Sequence, residues 1–137
     1  MAPEYRYPLG QHHADSLHTA TGFALGQLTL DAVMEGRVNS GDLRISGETL
    51  RMQATIAERA GFKQFAQNLR RGAELANVPE SEILRIYTAL RPRRSTHAEL
   101  LNLATDLEQR CGAILIARMI REAAEAYEAR GLTRGNT

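Results

Sequence analysis

Apolar residues recur at helical spacing from residue 29 onward and show no sustained period before it. Residues 1–28 carry Tyr5, Tyr7, Leu9, Leu17, Phe23, Leu25 and Leu28 among Pro3, Pro8 and three glycines, which predicts an irregular N-terminal arm. That is more apolar mass than a disordered tail keeps, so the arm is expected to lie against something. Thr29 has the side chain of an N-cap for a short helix, Leu30 to Glu35, and Gly36 can take the left-handed conformation that closes it. After a turn at Asn39-Ser40-Gly41, Ser46 is placed to cap a longer helix. On that helix Leu50, Ala54 and Ala57 form one stripe, and Met52, Ile56 and Ala60 a second, offset one, which predicts two packing surfaces.

Gly61 ends or bends this helix, and Phe62, Phe65, Ala66, Leu69, Ala73 and Ala76 then fall on one amphipathic face. Val78-Pro79 starts a new helix, because the residue before proline is pushed out of helical conformation while proline itself suits a first turn. Ile83, Ile86, Tyr87 and Leu90 make its stripe, and Pro92 stops it, leaving Arg91 to Arg94 as a loop. Thr96 and Glu99 stand at capping-box spacing ahead of Leu100, Leu103, Ala104, Leu107 and Cys111. From Ala113 to Met119 the chain is apolar around nearly the whole helix circumference, which predicts burial from several sides. Gly112 is expected to bend one long C-terminal helix reaching about Arg130, and the last seven residues are expected to fray. The pattern therefore predicts an all-α protein: an open up-and-down bundle of about three main helices plus short ones over residues 29–137, with the irregular arm at 1–28, one domain in all.

Composition agrees with helix, with 20 Ala and 17 Leu against three Val and no Trp. The net charge of +1 is far from the basic balance of nucleic-acid binders, and no apolar run approaches the roughly 18 residues of a membrane span. Neither a nucleic acid nor a membrane is expected as partner. Sixteen of the 17 basic residues are Arg, whose forked guanidinium suits carboxylates at interfaces. A single cysteine, Cys111, and the lack of a charged-then-apolar leader pattern fit the reducing cytoplasm.

Candidate chemistry is sparse. His12, His13 and His18 lie in an aperiodic segment without cysteine partners, and His97 occupies the first turn of a helix, where the dipole disfavours imidazolium. Cys111 falls on an apolar helical face that would not stabilise a thiolate. Glu122, Glu125 and Glu128 interleave with Arg118, Arg121 and Arg130 as ordinary helical ion pairs. Gly22 and Gly26 belong to no phosphate loop, and the Arg91–Arg94 turn is the one feature in common with a helix-turn-helix. These readings predict no catalytic, cofactor-binding or metal residue on the chain. They leave open a helical adaptor that works by docking.

Ordered blocks run through the chain: Tyr7-Pro8-Leu9, Thr19-Ala20-Thr21-Gly22, Leu28-Thr29-Leu30, Asp42-Leu43-Arg44-Ile45-Ser46, Gln53-Ala54 with Ile56-Ala57, Glu74-Leu75 and Val78-Pro79. The longest is Ile83-Leu84-Arg85-Ile86-Tyr87-Thr88-Ala89-Leu90-Arg91-Pro92-Arg93-Arg94-Ser95, followed by Glu99-Leu100-Leu101, Asp106-Leu107-Glu108 and Arg121-Glu122-Ala123-Ala124. In this order and spacing the chain resembles the small (γ) subunit of the adenosylcobalamin-dependent diol dehydratase and glycerol dehydratase family. The resemblance departs at Arg93, where relatives carry an aromatic residue, and at Gly72, where they carry a helix-favouring alanine.

The resemblance implies a hydro-lyase that converts propane-1,2-diol or glycerol to an aldehyde and water by a radical route begun by Co–C homolysis. It implies large and medium partner subunits that hold adenosylcobalamin between them, in a dimer of heterotrimers, and a helical small subunit attached to the large one. No catalytic residue of the family maps onto this chain. On that basis Tyr7, Leu9, Arg44, Tyr87, Arg91, Arg94, Ile116, Met119 and Ile120 are the candidate subunit interface. The extension resembling a microcompartment-targeting segment in diol-type enzymes is not seen before residue 1, so the cytoplasm is expected and encapsulation is the less favoured expectation.

Overall fold

Thr29, Ser46 and Thr96 each turn a side-chain oxygen back onto a backbone N–H at a helix start, as their positions before apolar stripes predicted. In the computed structural model, which describes residues 4–135, these caps open three of the helices α1 (Leu9–His12), α2 (Leu30–Met34), α3 (Gly47–Arg59), α4 (Lys63–Leu75), α5 (Glu80–Ala89), α6 (His97–Cys111) and α7 (Ile114–Ala129). Among the described residues the only β-type pairing is an isolated bridge between His18 and Ala24, so the fold is all-α. Five helices of ten residues or more stand where the sequence pattern predicted about three main ones. The difference arises because Gly61 and Gly112 break the chain outright. The backbone divides into two compact units at Ala76/Asn77.

In the N-terminal unit α3 and α4 form an antiparallel hairpin, turned at Gly61 with φ of 92°. Its centre is built from small side chains: Ala54, Ala57 and Ala66 are buried, with Leu69 packed against them. Small residues let the two backbones come close. A Cβ on Gly47 would stand 2.9 Å from the Ala73 carbonyl oxygen, so that position must be glycine, whereas one on Gly72 would meet only Leu50 at 3.8 Å. The arm belongs to this unit. The Thr21 hydroxyl donates to Asp42 Oδ1 at 2.6 Å, and the Asn39 backbone N–H donates to Asp42 Oδ2 at 2.9 Å. These bonds hold the Asp42 carboxyl below its usual range, Thr21 contributing most.

In the C-terminal unit α6 and α7 form a second antiparallel hairpin around large side chains, with Leu100, Leu107, Ile116 and Ile120 fully buried. The expected bent helix is a break. Gly112 takes φ of 65° and its N–H bonds Glu108, while the Ala113 N–H bonds Leu107, a left-handed closure that reverses the chain in two residues. The expected fraying of the last seven residues is also corrected as far as residue 135. Leu132 N–H donates to Tyr127 O, Arg134 N–H to Ser95 O and Arg93 N–H to Leu132 O, each at 2.8 Å, and Thr133 is buried. The Arg134 guanidinium bonds the Arg94 carbonyl and pairs with Glu99. Asn136 and Thr137, which fell within that expectation, lie outside the described residues.

Candidate interaction surface

Among the described residues, nine of the twelve large apolar side chains left exposed lie in the N-terminal unit; Leu84, Tyr87 and Ile114 are the three in the other. In the N-terminal unit α2 turns Leu30 and Met34 outward, 75% and 78% exposed, and the chain between Asp42 and Ser46 exposes Leu43 and Ile45. Two open grooves border α3. One, of about 380 Å³, is walled by Leu25, Leu43, Ile45 and Leu50; the other, of about 590 Å³, by Tyr7, Ile56, Phe62 and Phe65. Gln53 lines both, so they meet along α3.

The candidate interface residues divide. Tyr7 is exposed and lines the larger groove, and Arg44 is exposed on the smaller one. Tyr87 is exposed on α5 beside Leu84, Arg91 and Arg94 are exposed in the turn after it, and Met119 is half-buried. Leu9, Ile116 and Ile120 are each less than a tenth exposed in this chain, unlike the others. The all-round apolar pattern of Ala113 to Met119 is met mainly by burying Ala113, Ile116 and Ala117, while Ile114 points to solvent.

Leu43, Ile45, Phe62 and Phe65 were not picked out by the sequence. The two phenylalanines sit on the face that pattern assigned to the core, but the buried members of that face are Ala66 and Ala73. The available signal was size, since a hairpin closing on alanines cannot also bury the larger rings of the same stripe. For Leu43 and Ile45 the signal was two apolar residues between a turn and a cap, outside any helical period.

Several charged groups in the C-terminal unit pair with one another. Arg110 grips Asp106 with two nitrogens, at 2.7 and 2.6 Å, and reaches Glu82 at 3.0 Å, while Arg85 bonds both carboxylates at 3.2 Å. The Arg110 hydrogen bonds, helped by Arg85, hold the Asp106 carboxyl down at about 2. His97 corrects the expectation of a disfavoured imidazolium. Its Nε2 lies 2.8 Å from Glu125 and 3.5 Å from Glu128, and the bond to Glu125 with both charges raises its pKa. These three groups come together across two helices, whereas His12, His13 and His18 form no such cluster. His13 instead accepts the Arg6 N–H and sets its ring edge against Tyr5. Cys111 is half-buried.

No described helix is long and apolar enough to cross a membrane. The smaller groove is also bordered by His18, Asp42, Ser46 and Thr49, but the Asp42 carboxyl is engaged by Thr21 and Asn39, and the larger groove is walled mainly by apolar side chains, so the arrangement offers above all contact area.

Comparison with known proteins is consistent with that character. The family profile described as dehydratase small subunit matches residues 3–134. The propanediol dehydratase small subunit of Salmonella typhimurium (strain LT2) is 47% identical over 130 residues, covering 95% of this chain and 75% of its own length. That of Citrobacter freundii is 46% identical over 130 residues, covering 95% of this chain and 76% of its own.

Proposed function

The chain belongs to the dehydratase small subunit family, and from that premise we propose that it is the non-catalytic small subunit of a coenzyme B12-dependent diol dehydratase, docking on and stabilising the large catalytic subunit. The observation that carries this reading is the near-full-length identity to propanediol dehydratase small subunits. It displaces the free-standing adaptor.

Adenosylcobalamin does not fit this chain. Grooves of about 380 and 590 Å³, open and apolar, are in the range of drug-sized ligands at most, roughly 300–1000 Å³. A corrinoid with its nucleotide arm is bulkier and carries many amides that need polar partners. The family resemblance implies that the cofactor is held between the large and medium subunits, in a dimer of heterotrimers, and that residues of those chains convert diol to aldehyde and water; the size and apolar walls of these grooves support that reading. The names of the relatives favour propane-1,2-diol over glycerol as the assembly's substrate. The cytoplasm is the proposed compartment. On this chain the proposed interface keeps Tyr7, Arg44, Tyr87, Arg91 and Arg94, which are exposed, and Met119, which is half-buried.

The test is co-expression with large and medium subunits from the same source, purification through a tag on this chain, and an aldehyde assay with and without adenosylcobalamin. Co-purification with activity that needs both this chain and the cofactor is expected. A chain that purifies alone as a stable monomer, leaving its partners active without it, overturns the reading.

A further inference from the structure

Along α3, Ser46, Thr49, Gln53, Ile56 and Ala60 follow one another at three- and four-residue spacing and line the two grooves in succession. That spacing places them on one stripe, which at 1.5 Å per residue runs about 20 Å. Exposed apolar side chains stand at both ends, Leu43 and Ile45 at one, Phe62 and Phe65 at the other. Resting on the small-subunit reading, we propose that this stripe of α3 is the face on which the large subunit docks, filling both grooves with apolar side chains and setting a carboxylate against Arg44.

An isolated exposed apolar residue calls for no explanation, but a contiguous groove with large residues at each end does. Its charge says what kind of partner covers it. Arg44 lies on the groove with no side-chain ion pair among the described residues. The one carboxylate lining either groove, Asp42, is already engaged by Thr21 and Asn39. A second copy of this chain seated groove on groove would set Arg44 against a lining whose one carboxylate, Asp42, is already engaged. A different chain supplies one. An apolar centre with an arginine on its rim is also the usual anatomy of a protein interface, where aromatic and Arg side chains carry most of the binding.

The experiment uses the co-expressed complex purified through a tag on this chain. Ile45→Glu and Phe62→Glu are expected to lower recovery of the large subunit about tenfold or more, the scale of a lost hot spot. Ile45→Leu and Phe62→Leu, which keep apolar surface, are expected to retain it. Arg44→Asp, which leaves the grooves' apolar walls intact, is expected to lose several-fold, roughly as for one rim charge. Ile114→Glu, comparably exposed but in the other unit, controls for the added charge and is expected to recover wild-type amounts. Helical circular dichroism of each variant must match the wild type, and where it does not for a Glu variant, Arg44→Asp decides. Folded Ile45→Glu and Phe62→Glu variants that keep the large subunit overturn the proposal, as does a wild-type chain that self-associates through Ile45 and Phe62. A wild-type chain that recovers no partner at all defeats the subunit reading itself.

Discussion

The α3–α4 hairpin closes mainly on alanines, with Met52 the one large side chain it buries, and leaves Phe62 and Phe65 outside, whereas the α6–α7 hairpin closes on Leu100, Leu107, Ile116 and Ile120 and leaves Ile114 as its one large exposed apolar side chain. Both are two antiparallel helices joined by a left-handed glycine. They differ in where the large side chains go. Hydrophobic burial scales with the area removed from water, at about 25 cal/mol per Å², so a hairpin of alanines has less to hold it together than one of leucines and isoleucines. The difference teaches where apolar area is spent: the α6–α7 hairpin buries its large side chains, and the N-terminal unit leaves more of its own exposed, the area on which the proposed docking rests.

The sharpest way to break this comparison is to cut one large side chain from each hairpin. Leu107→Ala removes a fully buried side chain and is expected to cost about 2–5 kcal/mol. Phe62→Ser, at a ring 65% exposed, is expected to stay within about 0.5 kcal/mol. Urea unfolding of the full chain reads both, and comparable losses would end the distinction.

The next effect tests whether the alanine hairpin depends on close approach. Gly47→Ala is expected to destabilise by about 1–3 kcal/mol, because its new methyl meets the Ala73 carbonyl and neither backbone can yield cheaply. Gly72→Ala has room against Leu50 and is expected to gain about 0.5–1 kcal/mol from helix propensity alone. A urea midpoint that falls for Gly72→Ala, or holds for Gly47→Ala, would show that the spacing of α3 and α4 is set otherwise.

Protonation gives the smallest effects and sharpens the comparison further. His97 has a raised folded pKa, so its contribution is complete below the unfolded value of 6.5 and fades as pH rises through the folded one. Amide exchange in α6 and α7 is therefore expected to quicken from neutral to alkaline pH beyond the intrinsic base catalysis, and His97→Gln to remove that excess. Asp106 works in the opposite sense: its contribution is present above the unfolded value of 3.8 and is lost as pH falls toward about 2. Asp106→Asn is expected to flatten the acid limb of the unfolding midpoint.

Much of the fold was legible because local chemistry dictates it. Thr96 and Glu99 form the reciprocal capping box that their spacing announced, and Pro79 stands just ahead of α5. What was not legible depends on partners distant in sequence. His97 was read from its own helix, but its charge state is set by Glu125 and Glu128 on another. The tail was read from its glycines, yet Ser95 and Glu99 hold Arg134. On the grooves, the exposed Tyr7 was named through the resemblance, whereas the exposure of Phe62 was missed because periodicity counts apolar positions without weighing their volumes.

The two-residue link at Gly112–Ala113 also sets an order of events. So short a loop closes at little entropic cost, and the α6–α7 pairing joins residues near one another along the chain. Such a hairpin is expected to form within microseconds to milliseconds, far ahead of a concentration-limited meeting of subunits, which takes milliseconds to minutes. The small subunit thus presents itself to its assembly with one half already folded, and a slow step in building the holoenzyme is to be sought in the encounter of chains rather than in this hairpin.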